Sequence, residues 1–226
     1  MQSVKLTYAF DALCGWCYGF GPALHEFADS NADRIELDVR SGGLFSGEAT
    51  GPISACPHIP AANERIARLT GVPFGAPYQR LLAEGTAVMD STAAATGLVA
   101  LRSQAPGRAL EFAAAIQAAW YQQGQDLRDQ AVYQEIAARC GLDVPAVTEA
   151  YASPSTRIAA ERDFQYVRSL GVTRYPTLLV HTASGVQPLG GPVSRADALT
   201  SVLDSYLNRN TEPVRASESI RPDGFP

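Results

Sequence analysis

Apolar and polar residues alternate at the start of the chain. In VKLTYAF, residues 4–10, Val4, Leu6, Tyr8 and Phe10 fall on one face at period two, which predicts a β-strand. The period then lengthens: Phe20, Leu24 and Phe27 recur at helical spacing and predict a helix over 16–29 with a kink at Pro22. Ile35, Leu37 and Val39 restore the alternation and predict a second strand over 35–40. Strand, helix and strand this close together make a βαβ unit, whose crossover is nearly always right-handed.

The glycine-rich SGGLFSGEATG, 41–51, breaks the pattern. Beyond it the chain is alanine-rich and helical in period. Helices are predicted over 61–70, 77–85, 91–104, 107–122, 129–140, 144–151 and 154–170, with Asp90, Ser91 and Asp129 as caps and Gly141 and Gly171 as stops. Strand character returns in PTLLVH, 176–181, and a TASG turn leads to a short strand at 186–189. A last helix is predicted from Ser194, where SRAD has the form of a capping box with Asp197 in the acidic place. After Asn208 the chain is polar, with Pro213, Pro222 and Pro226, and is expected to be loosely ordered. The sum is an α/β protein. Residues 1–50 and 154–209 build one sheet domain with helices on both faces, 51–153 form a helical insertion, and 210–226 form a polar C-terminal tail.

Composition narrows the function. A 46% hydrophobic fraction over 226 residues supports a full core without disulfide or metal staples. Eighteen basic against 23 acidic residues give no phosphate-neutralising surface, so nucleic acid is not an expected partner. No run reaches the roughly 20 apolar residues of a membrane span. MQSVKLTYAF has no charged leader ahead of an apolar run, so a cytoplasmic protein is expected. Four cysteines are too few for a disulfide framework, and a close thiol pair in a reducing compartment reads as catalytic or metal-binding.

That pair is Cys14 and Cys17, in DALCGWCYG, where the first strand gives way to the helix. Cys14 falls at or just before the first helical turn, where unpaired N–H groups and the helix dipole favour a thiolate. Cys17 shares its helix face and reaches the first sulfur. The spacing suits attack by Cys14 on a substrate disulfide, then release of the mixed disulfide by Cys17. A zinc site built from Cys14, Cys17, Cys56 and His58 is the competing reading, weakened because Cys56 and Cys140 form no second close pair. Two inert buried thiols are the bland one. Far along the chain, Pro176 opens a strand after GVTRY. A proline there donates nothing to the ladder. Either it is a trans residue starting a strand, or a cis Tyr175–Pro176 bond exposes backbone groups to a substrate strand beside the thiols.

The order FDALCGWCYG, helical insertion, GVTRYPT resembles the DsbA-like branch of the thioredoxin superfamily, most closely the predicted protein-disulfide isomerases and FrnE-like proteins of bacteria. ANERIARLTGVPFG, 62–75, also looks like that subgroup, and the resemblance spans about residues 3–208. It implies a thioredoxin-like fold with a large all-helical insertion, with Cys14 as nucleophile, Cys17 as resolving thiol and Pro176 as the cis-proline. It also implies protein or small-molecule disulfides as substrates, no cofactor beyond the redox-active cysteine pair, no metal, and glutathione as a candidate cosubstrate. A homodimer is compatible with it. The Gly15–Trp16 dipeptide departs from the Gly-Pro of thioredoxins and the Pro-His of periplasmic DsbA, so the direction of the reaction does not carry over.

Trp16, Arg174 and Tyr175 are candidate substrate contacts, with core packing as the plain alternative for Trp16 and solvation for Arg174. His25 falls about 12 Å beyond Cys17 along the helix and is too distant for a base. His181 ends a strand and reads as structural. Cys140 reads as a buried thiol, and Cys56, in a loop, as a weaker candidate for a third redox thiol. Two other functions stand beside the oxidoreductase: a glutathione-dependent transferase or isomerase of the kappa-class or hydroxychromene-carboxylate type, and a non-catalytic metal- or peptide-binding protein.

Overall fold

A computed structural model describes residues 3–211. Strand β1 (Val4–Phe10) leads through a short turn into helix α1 (Gly15–Ser30) and strand β2 (Ile35–Ser41). Helices α2 (Ile59–Thr70), α3 (Ala76–Glu84), α4 (Ser91–Gln104), α5 (Ala109–Tyr121), α6 (Gln130–Arg139) and α7 (Val144–Ala152) follow. Helix α8 (Pro154–Ser169) returns to the sheet, where strands β5 (Thr177–Thr182) and β6 (Gly185–Gly190) precede helix α9 (Ala196–Thr211). Strands β3 (Gly51–Pro52) and β4 (Val88–Met89) pair with each other within the helical segment. Being two residues long, they carry no periodicity to read.

The main sheet has the order β2-β1-β5-β6, with β1 parallel to β2 and antiparallel to β5. Register decides where the site lies. Ala9 pairs with Thr177, so the residue before β5, Pro176, comes to the end of β1 where the cysteine turn begins. β1 is covered on both faces: Leu6, Tyr8 and Phe10 join the main apolar cluster, whereas Ala9 packs with Val167, Val172 and Leu179. The main cluster runs without a break into the helical segment, through Phe112, Ile116, Trp120 and Tyr133. Burying each such side chain contributes about 1.5–3 kcal/mol.

Several expected helix ends shift. Asp90 caps α4 by accepting from the Thr92 and Ala93 amides, and Asp129 caps α6 by accepting from Ala131. Ser91 is not a cap; it is the first helical residue, and its hydroxyl accepts from the Phe45 amide. The Ser194 capping box does not form. Ser194 Oγ accepts from the Gly191 amide and closes a turn, while Asp197 pairs with Arg195, because α9 starts only at Ala196. Pro106–Arg108 make a 3₁₀ turn ahead of α5 rather than its first residues. Cys140, expected to be buried, is half-buried at the end of α6 beside Glu111. Residues 212–226 of the expected polar tail lie outside the described residues.

Candidate active site

The end of β1 fixes the first cysteine. The Cys14 amide donates to the Asp11 carbonyl, closing the turn, and the Cys14 carbonyl accepts from the Cys17 and Tyr18 amides as α1 begins. Cys14 is therefore the N-cap residue, with extended backbone and no side-chain cap of its own. Its sulfur sits where the free N–H groups of the first turn gather. Both cysteines are thiols. Cys14 retains 7% exposure and Cys17 none, so only the first sulfur is open to solvent.

Cys17 lies behind it. Its sulfur accepts a 3.4 Å hydrogen bond from the Asp11 amide. Burial pushes the Cys17 thiol well above its ordinary pKa, and hydrogen bonding and charge from Cys14 push the same way. Asp11 is itself 1% exposed. One carboxylate oxygen accepts from the Leu13 amide at 3.0 Å and the other from the Leu44 amide at 2.8 Å. Burial raises its pKa, and these donors offset part of the rise. The side chain thus ties the cysteine turn to the glycine-rich segment after β2. In FDALC its acid looks like an ordinary turn residue, and only the long-range bond to Leu44 marks it.

The Tyr175–Pro176 peptide bond is cis. The Tyr175 carbonyl accepts from Cys14 Sγ at 3.6 Å, and its hydroxyl donates to the Gly42 carbonyl at 2.8 Å. Gly42 is glycine because a Cβ there would overlap the Tyr175 ring. Replacing Gly42 with Ala is expected to cost about 1–3 kcal/mol, as overpacking does. The same change is expected to shift Tyr175, and with it the carbonyl that faces Cys14. A lower melting temperature together with slower disulfide exchange is the expected outcome; an unchanged exchange rate would show that the seat has no bearing on the chemistry.

A cavity of about 110 Å³ opens on Cys14, Gly15 and Trp16. Leu44 and Phe45 line it from the sheet side, and His58, Ile66 and Tyr121 from the helical side. Gly15 lets α2 come close: a Cβ there would lie 3.0 Å from Ile66 and 3.1 Å from Asn63. Tyr18 stacks on Tyr121 with ring centres 4.7 Å apart and donates to the Pro73 carbonyl, clamping the helical segment to α1. Trp16 is half-buried on the cavity wall, with the Arg65 guanidinium 5.8 Å from its ring centre. Arg174 is exposed, and no hydrogen bond or ion pair joins its side chain to the thiols among the described residues. His25 bonds the Gly21 carbonyl of its own helix, and His181 bonds Thr7 across the sheet. Cys56 is half-buried and does not line the cavity. Among the described residues no three His, Cys, Asp or Glu side chains gather as a metal site, so the ligand set Cys14, Cys17, Cys56 and His58 is not assembled.

With a strand-to-helix cysteine pair facing a cis-proline loop across one sheet, comparison with known proteins becomes decisive. A family model for the DSBA-like thioredoxin domain matches residues 5–203. The chain belongs to this family. As a DSBA-like thioredoxin domain it superposes on a candidate protein disulfide isomerase from Nitrosomonas europaea with a TM-score of 0.81 at 24% identity, covering 92% of this chain and 99% of that one. The cytosolic disulfide reductase DsbM from Pseudomonas aeruginosa gives a TM-score of 0.77 at 26% identity, covering 91% of this chain and 99% of that one. The same reductase with GSH gives 0.74 at 27% identity, covering 90% of this chain and 99% of that one. A 2-hydroxychromene-2-carboxylate isomerase shares the fold at 15% identity and a TM-score of 0.59, covering 91% of this chain and 95% of that one. A search of curated proteins gives no match. No helix among the described residues is long and apolar enough to cross a membrane.

Proposed function

We propose that this DSBA-like domain is a thiol–disulfide oxidoreductase whose redox centre is Cys14-Gly15-Trp16-Cys17. The observation that carries the reading is the arrangement of the two sulfurs: Cys14 at the helix N-cap, open to the cavity and facing the Tyr175 carbonyl, with Cys17 sealed behind it. Cys14 attacks one sulfur of a substrate disulfide. The substrate S–S bond breaks, a mixed disulfide forms on Cys14, and the first substrate thiolate leaves with a proton from solvent. Cys17 then attacks Cys14, forming the internal disulfide and expelling the second substrate thiol. Two electrons pass to the substrate, and a reduced thiol must return them before the next cycle. In the opposite direction the same steps oxidise a substrate dithiol.

The apolar cavity walls suit a small disulfide or the cysteine-flanking part of a protein. DsbM, a disulfide reductase held in one structure with GSH, supports glutathione as the thiol partner. Equilibrating the protein in glutathione buffers of graded poise and weighing it after quenching tests the reading. A reversible loss of two hydrogens, confined to the peptide carrying Cys14 and Cys17, is expected. A potential well below the cytosolic glutathione poise would assign a reductant, and one well above it an oxidant or isomerase. A protein that never forms the internal disulfide would refute the reading. Glutathione-dependent turnover that survives loss of both cysteines would assign instead the transferase or isomerase chemistry that the isomerase's shared fold brings to mind.

A further inference from the structure

A residue in the middle of a buried strand gains nothing from a hydroxyl unless something bonds it. Tyr8 is such a residue. It is 2% exposed, with its ring packed between Phe10, 5.4 Å away, and Phe20, 6.0 Å away. Phenylalanine would serve that packing equally well. The hydroxyl oxygen is shut off from solvent and completes no hydrogen bond. The groups that bear on it are Cys17 first and Cys14 second. The hydroxyl lies within reach of the Cys17 sulfur, and no aligned hydrogen bond joins the two.

Cys17 has the opposite need. Its sulfur is fully buried and has one donor, the Asp11 amide, at 3.4 Å. The charged groups that bear on it, Cys14 and Asp11, are both acids. Tyr121 and Tyr175, which also feel the two sulfurs, bring phenols and no positive charge. A sulfur that must turn anionic in this surrounding needs neutral donors, and the Tyr8 hydroxyl is the uncommitted one.

We propose that Tyr8 is a positioning residue for the second half of the reaction: its hydroxyl is held for the Cys17 thiolate and donates to it as that sulfur ionises to attack Cys14. The inference rests on the reading of Cys17 as the resolving thiol. In this step the Cys17 thiolate forms a bond to the Cys14 sulfur, the bond from Cys14 to the substrate sulfur breaks, and the departing sulfur takes up a proton. Tyr8 keeps its own proton throughout and lends only the hydrogen bond, which is strong because its acceptor is charged.

The test separates this role from the redox reading by titrating Cys17 without turnover. In a Cys14→Ser background, carbon NMR of Cys17 Cβ follows its ionisation. Adding Tyr8→Phe is expected to reduce the Cys17 thiolate fraction about tenfold at a given pH, the size expected for losing a hydrogen bond to a charged group. With Cys14 intact, Tyr8→Phe should lengthen the life of the mixed disulfide by a similar factor and leave the first attack unchanged. The melting temperature of the reduced protein should not fall, since the ring is kept and an unbonded hydroxyl is removed, so a purely structural role would leave the titration where it was. Site-specific 3-fluorotyrosine at position 8, a more acidic donor, should shift the Cys17 titration the other way, and it decides the matter alone if the phenylalanine variant does not fold. A Cys17 titration indifferent to both changes would overturn the proposal, even in a protein whose cysteines cycle normally.

Discussion

Changing Cys17 to Ser yields a protein that attacks a disulfide once and then stops. Incubated with oxidised glutathione or a small protein disulfide, it accumulates a stoichiometric adduct on Cys14, visible by mass and released by reductant. Cys14→Ser forms no adduct and loses exchange by roughly a thousandfold or more, on the scale seen when a nucleophile is removed. The asymmetry follows from burial. Cys17 has no exposed surface, so no external disulfide replaces Cys14 as its target. Its pKa also depends on its neighbour. Burial is the first cause of the upward push, but a hydrogen bond and negative charge from Cys14 come next. In a mixed disulfide Cys14 can carry no charge, so that part of the upward push on Cys17 is absent. Forming the intermediate thus eases ionisation of the thiol that must resolve it. Equal adduct yields from the two single variants would contradict this order of attack.

How much of this was legible in the chain depends on sequence distance. The cysteine turn could be read because all its determinants are local: an alternating strand, three turn residues and a helix start, all within residues 4–17. Pro176 could be read as unusual, but its place beside Cys14 comes from the pairing of Ala9 with Thr177, which no local pattern specifies. Asp11 and Gly42 were invisible for the same reason. One acts through Leu44, 33 residues on, and the other through Tyr175, 133 residues on. The even alternation of β1 does not by itself show that both of its faces are buried. Thr7 and Ala9 are as buried as Leu6, because α8 covers the side of the sheet away from α1. Tyr8 counted as one more apolar position in that alternation; only an inventory of buried hydroxyls sets it apart.

The largest expected loss of stability lies well away from the thiols, at Asp163. This α8 side chain is 2% exposed. One of its oxygens accepts from Arg40 Nη1 of β2 at 2.9 Å and from Arg102 Nη2 of α4 at 2.8 Å. Its other oxygen lies 2.8 Å from Arg102 Nη1 but receives no aligned hydrogen, while Nη1 donates to the Val39 carbonyl. One carboxylate thus joins the sheet edge to two helices. Asp163→Ala is expected to cost about 3–5 kcal/mol, the size found when one partner of a buried pair is removed. For a chain of this length that lowers the melting temperature by about 10 °C. Most of the loss falls on Arg102, with 16% of its side chain exposed, since Arg40 keeps Asp38 as a second partner at 2.8 Å. Replacing Asp163 and Arg102 together with apolar residues of similar volume should therefore recover much of the stability, because no unpaired charge is left buried. Thermal melts of the single and double variants check this. If the double variant melts as low as Asp163→Ala, then packing of α8, and not its charge, is what Asp163 supplies. The consequence reaches the site as well. α8 runs through Gly171 into the loop that carries Tyr175, so a loosened α8 should slow exchange by Cys14 before the protein unfolds.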